Sequence, residues 1–115
     1  MTGKREAERF GRWAERAASV YLALKGYRIL ARRFRSPAGE IDLVARRGRM
    51  VVYVEVKARR GEPALIPDRQ RRRIRRAAEH FLKLRPGLAS CEQRFDVILV
   101  RPARLPTHLK DAWRD

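Results

Sequence analysis

At 115 residues the chain has room for one domain, residues 1–115, and little more. Its 29 Lys and Arg against 13 Asp and Glu leave a net charge of +16. Self-repulsion of that size points to a polyanionic partner, nucleic acid first, although a ribosome or an anionic membrane surface would satisfy the same charge. Several classes are excluded. One cysteine, Cys91, permits neither an intramolecular disulfide nor a multi-cysteine zinc site. No run approaches the ~18 apolar residues of a membrane span. The charged N-terminus lacks the apolar core of a signal peptide, so the expected setting is the cytoplasm, without membrane attachment.

Residues 4–25 predict an amphipathic helix. Phe10, Trp13, Ala14, Ala17, Val20, Tyr21 and Leu24 recur at helical spacing and form its expected core stripe. Gly26 is the expected stop. A short strand is expected over Tyr27–Ala31, a turn at Ser36–Gly39 and a second strand from Glu40 to Ala45. Met50–Lys57 is rich in β-branched residues and predicts a third strand. The Gly48 link between the second and third strands predicts a hairpin. Residues 60–67 read as a loop, and Asp68 as the cap of a helix over 69–84. Phe95–Val100 predicts a last strand, followed by a helical turn near Leu109–Trp113. The order is αβββαβ, a mixed α/β arrangement in which the third strand lies inside the sheet.

Alternation along that strand puts Tyr53, Glu55 and Lys57 on one face and Val52, Val54 and Val56 on the other. The valines read as core. Glu55 and Lys57 beside them, in mid-strand, are costly without partners. Glu40 and Asp42 share a face of the second strand, and a hairpin would bring Asp42 to Glu55. Clustered carboxylates repel, and a divalent cation relieves the repulsion. Oxygen ligands suit Mg²⁺ or Mn²⁺, as phosphodiester hydrolysis requires. Glu and Lys two apart on a strand are also, commonly, only a solvated ion pair.

Three blocks carry a family resemblance: Gly39-Glu40-Ile41-Asp42-Leu43-Val44, Val54-Glu55-Val56-Lys57-Ala58-Arg59 and Arg94-Phe95-Asp96-Val97. With Gly11-Arg12-Trp13-Ala14-Glu15 and the stretch from Leu22 to Tyr27, they closely resemble the YraN family. That family is assigned to the PD-(D/E)XK, restriction-endonuclease-like superfamily and compared with Holliday-junction resolvases. The resemblance implies a restriction-endonuclease-like αβββαβ core, its mixed sheet flanked by helices. It also implies a metal-dependent nuclease acting on DNA, branched or structured DNA included. Asp42 and Glu55 would be metal ligands and Lys57 the motif lysine. Glu15 would complete the metal shell, Glu40 would be an accessory ligand, and Gln70 would contact phosphate or the metal water. Arg33 stands where relatives commonly carry Asn. Junction-cutting enzymes act as dimers, which leaves a homodimer open for this chain.

The second helix carries Arg69, Arg71, Arg72, Arg73, Arg75 and Arg76, the expected contacts to nucleic acid. A non-catalytic nucleic-acid-binding module with the same fold is the alternative, and a basic protein that docks on ribosomes or acidic partners is a third reading. Trp13 reads as core, and Trp113 as core rather than as a base-stacking platform. His80 and His108 read as isolated surface or boundary residues, Cys91 as inert. Tyr53 is a candidate site liner, and Asp96 a partner for an Arg or the site.

Overall fold

A computed structural model describes residues 2–58 and 66–114, with side chains from Arg9 onward. The loop expected over 60–67 lies outside the described residues except for Ile66 and Pro67. The elements run α1 (Thr2–Leu24), β1 (Arg28–Arg35), β2 (Glu40–Arg47), β3 (Met50–Ala58), α2 (Asp68–Leu84), a short 3-10 turn (Pro86–Leu88), β4 (Glu92–Val100) and β5 (Thr107–Leu109). The expected αβββαβ order is present, with β5 added. The fold is an α/β sandwich of one five-stranded sheet between two helices. Strand order is β1-β2-β3-β4-β5; β3 and β4 run parallel and every other pair antiparallel.

Strand β3 is central, and both of its faces are buried. Val52 and Val54 face α1, while Val51 and Tyr53 face α2; all four are fully buried. The parallel β3–β4 pair needs a crossover, and α2 lies within it. Gly48, at φ 60°, makes the tight β2–β3 hairpin turn. Gly26, at φ 88°, ends α1 in a Schellman arrangement, with Tyr27 N–H donating to Leu22 O and Gly26 N–H to Ala23 O.

Four expectations change. The core-facing stripe of α1 is Ala14, Ala18 and Leu22, each fully buried, whereas Trp13, Val20 and Leu24 face outward. The small alanines let the helix axis sit close on the sheet, which turns the larger side chains away. Asp68 is not the cap of α2. Extended Pro67 holds that position with no side-chain cap, and the Asp68 carboxylate lies 3.8 Å from Arg71. The expected helical turn near Leu109–Trp113 is not formed; the chain instead adds β5 along β4.

The fourth change is His108, a boundary residue as expected but not an isolated one: its side chain is turned inward onto partners. Its Nε2 lies 2.7 Å from Oδ2 of fully buried Asp96, and its Nδ1 lies 2.8 Å from Lys25 Nζ. Arg94 grips both Asp96 oxygens at 2.8 Å and also donates to the Tyr27 hydroxyl. The Asp111 amide completes the shell. Burial opposes ionisation of Asp96, but the hydrogen bonds from His108, Arg94 and Asp111 outweigh it and hold the carboxyl below its ordinary range. This network ties β4, β5, the end of α1 and the C-terminal segment together. Trp113 is core, stacked on Phe95 at 5.3 Å.

Candidate active site

The site forms where the β2–β3 ladder stops. Leu43 and Val54 are its last paired residues, and Asp42 and Glu55 are the next step outward. Across β1, Arg33 takes a positive φ of 49° opposite Asp42, between the Arg32–Leu43 and Phe34–Ile41 pairs. The side-chain alternation breaks here: Leu43 packs toward α1, while Ile41 packs toward α2 with Val44. With the ladder open, Asp42 Oδ2 takes the place of a backbone acceptor and receives the Val56 N–H at 2.8 Å. Its carboxyl and that of Glu55 each act on the other's ionisation.

Glu55 is 7% exposed. Gln70 Nε2, from the first turn of α2, donates to its Oε1 at 2.9 Å, and Lys57 Nζ lies 3.5 Å from the same oxygen. Burial pushes Glu55 up to about 8; the Asp42 charge adds to this, and Lys57 opposes it. Burial likewise raises Asp42 to about 6, partly offset by the Val56 N–H. Such a pair titrates as a unit. A buried carboxyl and a half-buried one that resist carrying two negative charges, with one ammonium beside them, are a donor set short of positive charge.

The oxygen donors fit Mg²⁺ or Mn²⁺. Among the described residues no group of three His, Cys, Asp or Glu converges on one point. Mg²⁺ tolerates such a site, because one or two carboxylates commonly hold it while waters and phosphate oxygens fill the remaining positions. Glu15 is engaged elsewhere, accepting Arg33 Nε at 2.8 Å, and its charge raises Asp42 further. Glu40 is exposed, 3.7 Å from Arg35 Nε. Tyr53 shares the Glu55 face but is core, its hydroxyl donating to Gln93.

One cleft is lined by Asp42 itself, and another by Gln70, the partner of Glu55. On the α2 side, a cleft of about 710 Å³ is lined by Arg35, Ser36, Glu40, Arg69, Gln70 and Arg73. On the α1 side, a cleft of about 240 Å³ is lined by Arg12, Glu15, Arg16, Arg32, Arg33 and Asp42. The Arg run of α2 therefore divides. Arg69 and Arg73 line the cleft, whereas Arg71 is tied to Ile66 O at 2.9 Å. Arg75 lies 3.7 Å from Glu79, and Arg72 and Arg76 are exposed outside the cleft lining. Arg12, Arg16, Arg32 and Arg35 are cleft residues that reading the sequence missed. Their only local signal was basic residues recurring one helical turn apart or alternating along a strand.

The comparisons with known proteins agree with one another. Residues 14–100 match the model of the uncharacterised protein family UPF0102. A UPF0102 protein of Parvibaculum lavamentivorans is 56% identical over 113 residues, covering 94% of this chain and 84% of that protein. One from Paramagnetospirillum magneticum is 53% identical, covering 94% of this chain and 89% of its own length. One from Rhizobium etli is 49% identical, covering 96% and 93%. With a matched span running from the buried face of α1 to the end of β4, and half-identical relatives along nearly all of its length, this chain belongs to the uncharacterised protein family UPF0102, the YraN family that its sequence blocks resemble.

Proposed function

We propose that the protein is a metal-dependent nuclease that hydrolyses phosphodiester bonds in DNA, branched or structured DNA among its substrates. The juxtaposition of Asp42 and Glu55 at the open end of the ladder, beside Lys57, with one arginine-lined cleft at Asp42 and another at Gln70, carries this reading. Asp42 and Glu55 would hold the cation, Gln70 fixing the Glu55 carboxyl and the Val56 N–H fixing that of Asp42. A bound Mg²⁺ or Mn²⁺ supplies Lewis-acid charge to the phosphoryl oxygen. Lys57, 3.5 Å from Glu55 Oε1, would neutralise negative charge that builds on the phosphate as water attacks phosphorus and the P–O bond breaks. Arg35, Arg69 and Arg73 would take the flanking phosphates.

The test compares cleavage of labelled duplex, single-stranded, flap and four-way-junction DNA by the wild type and Glu55→Ala, with Mg²⁺ or Mn²⁺ and with EDTA. We expect cleavage that is lost in EDTA and falls at least 10²-fold in Glu55→Ala, on the order of the loss of a charge-stabilising catalytic group. Binding without cleavage under any metal would instead establish a nucleic-acid-binding module.

A further inference from the structure

Helix α1 has two apolar stripes; the sheet covers one of them, and of the other only Ala17 packs against the core. Phe10, Trp13, Ala17, Val20 and Leu24 recur at alternating spacings of three and four and so form one continuous stripe. Trp13 is 46% exposed, Val20 54% and Leu24 82%. The Phe10 and Trp13 rings stack at 5.6 Å with an interplanar angle of 14°. Trp13, with Phe10 stacked against it, presents an aromatic surface to solvent.

The surroundings of Trp13 are cationic. Arg12 precedes it in the chain, and Arg16 stands one turn further along the helix, on the side away from Phe10. Both line the α1-side cleft together with Arg32, and that cleft reaches Asp42. Among the described residues none of Arg12, Arg16 and Arg32 is paired with a carboxylate. Burying three such cations against another copy of this face would be repulsive. An exposed ring beside a line of uncommitted guanidiniums combines the two elements that bind unpaired nucleotides, a stacking surface and a track for the phosphates.

We propose that Trp13, backed by Phe10, is a stacking platform for an unpaired base of the strand whose phosphates Arg12, Arg16 and Arg32 lead toward Asp42. An internal base pair has both faces covered by its neighbours, so the platform favours substrates with single-stranded character. The inference rests on the nuclease reading for its direction along the cleft. It concerns a different residue and a different readout.

The experiment uses Trp113→Phe with Glu55→Ala, which leaves Trp13 as the one tryptophan of the two in the chain and prevents turnover. Its emission is followed during titration with a short oligothymidylate, with blunt duplex DNA and with vesicles containing an anionic phospholipid. We expect oligothymidylate to quench Trp13 and blunt duplex to leave it nearly unchanged. Trp13→Leu should weaken oligothymidylate binding about 5- to 150-fold, the range of one stacked base, with duplex binding kept; Trp13→Phe should restore most of the loss. Unquenched emission with normal oligothymidylate binding, or equal binding by Trp13→Leu, overturns the platform. So does an emission change that follows protein concentration or vesicles alone, which would assign the stripe to a second copy or to lipid. Quenching in a protein whose wild type cleaves nothing supports the platform while the hydrolytic reading fails. Glu55-dependent cleavage without quenching removes the platform alone.

Discussion

Glu55 is held between two demands. Its place on the central strand buries it, and burial beside Asp42 favours the protonated form. Lys57 and Gln70 keep the carboxyl oriented but do not neutralise the pair. A carboxyl whose folded pKa is raised stabilises the fold fully below its unfolded value and loses that contribution as pH rises through the folded value. The metal-free protein is therefore expected to lose thermal stability from about pH 4.5 to about pH 8, the interval over which Glu55 titrates. Glu55→Gln should flatten that slope. Added Mg²⁺ or Mn²⁺ should raise the melting temperature, and more at pH 8 than at pH 5, because the cation binds the ionised pair. Melting curves with and without EDTA across this range decide the matter; a metal effect unchanged in Glu55→Gln would place the cation elsewhere.

At the scale of elements, the α2-side cleft depends on how closely the β1–β2 turn approaches α2. A Cβ added at Gly39 would lie 3.1 Å from Arg73 Cβ and 3.2 Å from Arg73 O. The helix backbone cannot yield as a flexible side chain does. Gly39→Ala should therefore push the turn off the helix, at a cost of roughly 1–3 kcal/mol, and widen the gap between Arg35 and Arg73. Urea denaturation measures the first effect and DNA affinity at fixed salt the second. A variant with unchanged stability and affinity would show that this close approach matters to neither. The turn itself is held locally, by Ser36 Oγ receiving the Ala38 and Gly39 amides.

For the molecule as a whole, two features act at long range. The first is the Asp96 network, which joins the link after α1, β4, β5 and the chain beyond it across up to 83 residues of sequence. Asp96→Ala would leave the Arg94 guanidinium largely buried without its carboxylate, and we expect a loss on the order of 3–5 kcal/mol in chemical denaturation. Asp96→Asn, which keeps the acceptor for His108 or Arg94, should lose less. Equal stability of wild type and Asp96→Ala would sink the assignment of the network as a structural tie. The second is the net charge of +16, which should make DNA affinity fall steeply with salt.

Much of this molecule was legible before its tertiary structure. Alternation along Met50–Lys57 separates Glu55 and Lys57 from the valine face, and the glycine turn at Gly48 sets the register that brings Asp42 level with Glu55. These are local periodicities, and local backbone geometry obeys them. Tertiary packing decided the rest. Helical spacing marks apolar residues on α1 but cannot say which of two stripes meets the sheet; close approach through Ala14 and Ala18 made that choice and left Trp13 outside. Asp42 and Glu55 do meet, yet through a ladder opened beside Arg33 rather than along one regular face. His108, 2.7 Å from a carboxylate twelve positions earlier, and Gln70, 2.9 Å from one fifteen positions earlier, have partners that no spacing rule encodes. Contacts between elements depend on how whole layers seat against each other, and that is a property of the assembled fold.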